Sequence, residues 1–299
     1  GDIGVPTASP LICCALMMLL LTAYAAWMAS RYARAGTWVA IVFGLIGVFA
    51  LITWSGAGGL GPVSGLRFGA LSLSVPLIFG ALGGVIGERV GVVNVAIEAQ
   101  FLFAAFTSAL IGSVTGSFFL GLLGAVVAGA LVASVLAVFS IKYFVDQVIV
   151  GVVLNVLITG LTSFLHGAVM QPHTAALNSP ERFPRWPIPF LSDIPIIGPV
   201  VFNQTLIVYL MYVIVPLVAW GLYRTRWGLR LRAVGEHPTA ADTVGIKVNP
   251  TRFWNVLLAG GIAGIGGAYF TLGSVGGFDK EMTGGLGFIA LAAVIFGGW

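Results

Sequence analysis

Apolar residues in this chain fall in long unbroken runs separated by short polar breaks, without the strict alternation that marks half-buried strands. A helix needs about 20 mostly apolar residues to cross a bilayer. Runs approaching that length cover 9–30, 37–54, 67–87, 91–111, 118–140, 147–166, 204–223, 253–273 and 285 to the end. The pattern predicts an all-α, polytopic transmembrane bundle of about nine spans, since helices satisfy their own backbone in lipid. It does not fit a β-barrel, whose strands alternate over about 10 residues. The first run lacks a basic leading region and is followed at once by another, so it does not read as a signal peptide. The chain begins without methionine and stops inside an apolar run, so a piece of a longer protein is expected.

Two breaks are long. Residues 167–203 hold seven prolines and almost no net charge, whereas 224–252 hold six of the 14 basic residues: Arg224, Arg226, Arg230, Arg232, Lys247 and Arg252. Loops rich in Lys and Arg stay on the cytoplasmic side. Alternation then puts the Arg31/Arg34 break inside as well, and 55–66, 167–203 and 274–284 outside. Three regions follow: an N-terminal extension with two spans (1–66), a core (67–299), and within it a cytoplasmic loop (224–252).

Composition sharpens this picture. Charged residues are 8% of the chain, against about 25% in soluble domains, so a soluble enzyme is excluded. The net charge of +4 comes from clustered loop residues and does not point to nucleic acid. The 42 glycines suit helices that approach closely. Cys13 and Cys14 are adjacent in an apolar run and read as packing residues. No GxxxxGK[ST], HExxH or GxSxG motif occurs. His166 and His173 lack partners at ligand spacing, so no metal is expected.

Three stretches carry polar chemistry. In GALGGVIGERVGVVNVAIEAQ, glycines at 80, 84, 87 and 91 make a smooth helical face, and Asn94 and Glu98 follow at a four-residue step, which predicts one helical face for both. An ionisable residue inside a span is costly and marks a functional candidate, or a bond to a neighbouring helix. In the run from 147, Gln147, Gly151, Asn155, Thr159, Thr162 and His166 form a one-sided stripe, which either lines a polar path or bonds between helices. Asp146 precedes it as an N-cap. In RTRWGLRLRAVGEHPTAADTVGIKV, Pro238 opens a short helix that Ala240, Ala241 and Val244 continue and Gly245 stops. Such a helix is a handle for a partner, or an amphipathic loop lying on lipid headgroups.

The stretches GGVIGERVGVVNVAIEAQ, GVVLNVLITG, LRAVGEHPTAADTVGI and FDKEMTGGLGFIALAAVIFGGW together resemble the permease subunits of bacterial ABC importers for nucleosides and simple sugars, over roughly residues 70 to 299. The resemblance implies a multi-pass protein of a bacterial cell membrane that moves nucleosides by alternating access. It places Asn94, Glu98 and Asn155 along the substrate pathway, to which the polar stripe adds Gln147 and Thr159 as candidates. It makes Gly235, Glu236, Pro238, Ala240, Ala241 and Gly245 part of the element that docks on the ATPase. It implies three protein partners besides membrane lipid: an ABC ATPase subunit, a second homologous permease (or a second copy), and an extracytoplasmic solute-binding lipoprotein. No cofactor is expected on this chain, because ATP and Mg belong to the ATPase. Ala99 and His237 depart from the family pattern, which commonly has glycine and asparagine there. A ribose-like or other sugar importer is the nearest alternative. A stand-alone secondary transporter or channel is the second, although it would call for more buried ionisable residues or an inverted repeat.

Overall fold

The computed structural model describes residues 15–19, 22, 63–189, 192 and 201–298. The predicted spans 9–30 and 37–54, the Arg31/Arg34 break and the two cysteines fall almost wholly outside these residues. The chain clusters into two compact units, Gly1–Phe68 and Gly69–Trp299, and apart from the helical residues 63–68 everything below concerns the second.

From Val63 onward the helices are α1 (Val63–Arg89), α2 (Ile97–Thr115), α3 (Phe118–Ala137), α4 (Gln147–Leu165), a single turn α5 (Thr174–Leu177), α6 (Leu206–Arg224), α7 (Arg226–Glu236), α8 (Pro238–Thr243), α9 (Val248–Ala268) and α10 (Leu286–Gly297). π-helical turns extend α3, α4 and α9, over Val138–Lys142, His166–Met170 and Tyr269–Val275. Six helices among the described residues are long and apolar enough to cross a membrane. The proline-rich break adds one small ribbon, β1 (Arg185–Pro187) against β2 (Asn203–Thr205), antiparallel.

The core is α9 packed on α3 and α2. Close approach is possible because the touching residues have no side chain. A Cβ on Gly129 would overlap the Gly260 carbonyl oxygen, and one on Gly264 the Ala125 carbonyl oxygen. Ser108 and Thr271 share a 2.6 Å hydrogen bond between α2 and the end of α9. The far face of α4 carries Val152, Val153, Val156, Leu157 and Phe164 exposed, as a lipid-facing helix requires.

One end of the bundle gathers Arg89, Val90 and Gly91 with Gly235 and Arg252; the other gathers Asn178 and Phe278, and Arg182 with the Val275 carbonyl. The first grouping is the one that the alternation of spans predicts; the second departs from it in part, because the expected outer loop 274–284 returns into the bundle, with Phe278 against Phe106 and Thr283 bonded to Glu98. The predicted run from 285 to the end forms helix α10. Helix α10 has 12 residues, a length of about 18 Å at 1.5 Å per residue, roughly half of a bilayer crossing. The predicted helix over 91–111 starts later, at Ile97.

Candidate functional site

Helix α1 ends where its sequence says it must. The Val92 amide returns to the Gly87 carbonyl (2.9 Å) and the Gly91 amide to the Glu88 carbonyl (2.9 Å). This pattern needs a left-handed residue, and Gly91 supplies it with φ +85°. Residues 91–96 are therefore not helical, and the predicted common helical face of Asn94 and Glu98 does not form.

The stretch nevertheless lies deep. The Ile97 side chain packs beside Gly80 and Gly84 of α1. That level is about 10 Å in from Arg89, taking 1.5 Å per residue. Non-helical backbone at such depth must find hydrogen-bond partners within the protein, and here side chains provide them. Gln147 accepts from the Val93 amide (2.8 Å). Asn155 accepts from the Ala99 amide (2.9 Å) and donates to the Val95 carbonyl (3.0 Å). Ala99 is the third residue of α2, the amide that an N-cap side chain normally serves, and the actual N-cap, Ala96, offers no side-chain bond. Asn155 thus caps α2 from another helix. Asn94 and Gln100 are both buried and joined by two hydrogen bonds, 3.0 and 3.2 Å.

Glu98 serves a second break. After the π turn of α9, residues 276–285 run non-helically back into the bundle. Phe278 stacks edge-on against Phe106 (5.3 Å between centroids) and lies 5.5 Å from the His166 ring. Asn178 bonds both the amide (2.6 Å) and the carbonyl (2.9 Å) of Phe278. Five residues later the chain reaches Glu98. One carboxylate oxygen accepts from the Thr283 hydroxyl (2.6 Å) and the Gly285 amide (2.9 Å), and the other from the Gly287 amide (2.6 Å). The carboxylate thereby caps α10, whose amide end favours negative charge. Three donors compensate a charge that is otherwise expensive to bury. No larger residue fits at 287, where a Cβ would come to 2.5 Å from the Glu98 Cα.

The stripe on α4 is real and faces α2. Gly151 lets the helix approach Val95, and Thr162 bonds its own helix at the Ile158 carbonyl (2.7 Å). Thr159 is half-buried. Asp146 caps α4 as expected, accepting from the Val148 amide (2.8 Å). Sequence reading did not single out Gln100, Thr283, Gly285 or Gly287. Their signal was available: an amide side chain in an apolar run, and TGG before a short apolar segment.

At the arginine-rich end, α7 is amphipathic, burying Leu231 and Val234, and was not expected from the sequence. Its first turn is capped by Thr225, which accepts from the Gly228 amide (3.3 Å). Gly235 rests on the Arg89 carbonyl with no room for a side chain, and Arg252 donates to the Val90 carbonyl (3.2 Å). The short helix α8 forms as predicted and Gly245 ends it with φ +87°. Ala241 is buried, whereas Glu236, Ala240, Gly245 and Val244 are exposed, Val244 by 76%.

Sequence comparison gives consistent relatives. The family profile described as branched-chain amino acid transport system / permease component matches residues 66–299. The chain is 40% identical over 236 residues to the nucleoside ABC transporter permease protein NupC of Lactococcus lactis subsp. cremoris, covering 77% of this chain and 74% of that protein. It is 38% identical to the guanosine ABC transporter permease protein NupQ of Bacillus subtilis, with the same coverage. It is 35% identical over 240 residues to the putative glucose ABC transporter permease protein TsgC13 of Haloferax volcanii, covering 79% and 71%. No solved structure matches.

Proposed function

Because this chain belongs to the family of the branched-chain amino acid transport system permease component, we propose that it is the membrane subunit of an ATP-binding-cassette importer that brings nucleosides into a bacterial cell. The observation that carries the solute class is its 40% and 38% identity to permeases named for nucleosides and guanosine. In this reading the chain catalyses no reaction and binds no cofactor; ATP and Mg are held by a separate ATPase subunit. A second permease and an extracytoplasmic binding lipoprotein complete the importer.

The proposed handle for the ATPase is the 235–245 stretch, with Gly235, Glu236, Pro238, Ala240, Ala241 and Gly245. Its support is an exposed apolar Val244 on a short helix anchored by buried Ala241. Asn94, Glu98, Gln147, Asn155 and Thr159 border the solute route, and most of them do so by holding the broken backbone that shapes it. Transport then needs two packings of similar energy, biased by nucleotide on the partner.

Purified importer in proteoliposomes, supplied with binding protein and ATP, tests the reading. Uptake of labelled guanosine or another nucleoside is expected, with labelled glucose excluded. Glucose uptake in its place selects the sugar-importer reading, which the 35% identity to a putative glucose permease favours. ATP-independent uptake by the chain alone refutes both.

A further inference from the structure

Between Phe278 and Thr283 the chain travels alongside α2 from the level of Phe106 to that of Glu98. Those two α2 residues are eight apart, or about 12 Å along the helix axis. The segment is therefore inside the thickness of the bundle, well away from a surface loop. Its two ends are buried: Phe278 is 3% exposed and Thr283 is 1% exposed. Between them Asp279, Lys280 and Glu281 are exposed, as is Gly284. The backbone turns repeatedly, with Glu281 at φ +53° and Gly284 at φ +56°, and short-range bonds from the Met282 amide to the Asp279 carbonyl and from the Gly284 amide to the Glu281 carbonyl.

Lipid cannot cover such a face. Acyl chains offer no partner to irregular backbone, and three consecutive charged side chains in hydrocarbon are prohibitively costly. A partner protein packed dry against them would have to match each charge within a small area. Water is the remaining environment. The polar stripe on α4, by contrast, has Gln147 and Asn155 spent on the backbone of 93–99, so those groups are not free to bind a solute.

We propose that residues 279–285 form the wall of the aqueous route that the solute touches, and that Glu98 is a positioning residue that holds this wall through Thr283, Gly285 and Gly287. The inference rests on the importer reading above and deepens it. The wall offers carboxylates and an ammonium group, which fits an uncharged, hydroxyl-bearing solute such as a nucleoside or sugar.

The test uses the assembled importer in proteoliposomes, on a background of Cys13→Ser and Cys14→Ser. Lys280→Cys is compared with Val156→Cys, whose side chain sits on the apolar outer face of α4 with 70% exposure. A membrane-impermeant methanethiosulfonate is added from the side of the proline-rich loop. Position 280 should react at least about tenfold faster, because the reactive thiolate forms only in water, and its labelling should abolish uptake. Labelling as slow as at 156, or full uptake after complete labelling, overturns the proposal. Failure of the importer reading is distinguishable: an unlabelled importer that takes up no nucleoside or sugar counts against that reading, and the labelling rate still decides this one.

Discussion

Asn155→Leu separates a residue that holds backbone from one that touches solute. Leucine has similar bulk but no polar atoms. The change removes the bond to the Ala99 amide (2.9 Å) and the bond to the Val95 carbonyl (3.0 Å). Losing an N-cap interaction costs about 1 kcal/mol. Leaving a buried carbonyl unpaired costs about 1–3 kcal/mol more. Burying the added apolar surface returns about 1 kcal/mol. Measured side-chain bonds between membrane helices average about 0.6 kcal/mol, which favours the low end of these ranges. A net loss of about 1 kcal/mol results, or about 2–4 °C in Tm for a unit of this size. Thermal unfolding of the permease in nanodiscs reads the shift, and hydrogen exchange reads where it arises. Faster exchange should be confined to the amides of 93–100. An unchanged Tm and unchanged exchange, together with lost uptake, would refute the capping role and assign Asn155 to the solute.

Three other outcomes are expected. Val244→Asp puts a charge on the exposed apolar tip of the short helix at 238–243 and should abolish co-purification of the ATPase at unchanged Tm; intact association removes this helix from the interface. Gly264→Leu drives a side chain into the Ala125 carbonyl and should cost about 3 kcal/mol or more by overpacking, seen as loss of folded protein in size-exclusion profiles. Glu98→Gln keeps one acceptor but turns an amide donor toward converging donors, and should speed exchange at 283–287 and lower uptake, with Glu98→Asp intermediate; native exchange in Glu98→Gln would contradict the three-donor geometry.

The sequence disclosed most of the helices because hydrophobic length alone fixes a span. It disclosed the caps too, where the rule is local: Asp146 before α4, and Gly245 after α8. It mispredicted the start of α2, since apolar residues run straight through 91–96. The left-handed Gly91 and the buried pair Asn94–Gln100 decide that region, and one amide side chain among apolar residues does not mark where a helix starts. The partners of Glu98 lie more than 180 residues further on, at Thr283, Gly285 and Gly287, so no local pattern could have paired them. Alternative readings of the α4 stripe separate only when distances are known: Gln147 and Asn155 bond to backbone of a neighbouring element.

The contact at Gly235 has a mechanical meaning. Backbone rests on backbone there, with the Arg252 guanidinium strapped to Val90 beside it. No rotamer stands between the two surfaces to swing aside and absorb a push. A displacement of the arginine-rich connector would bear directly on the tight bend that Gly91 makes. In machine terms the joint behaves as a rod bearing on a rod, where most protein surfaces would act as a cushion.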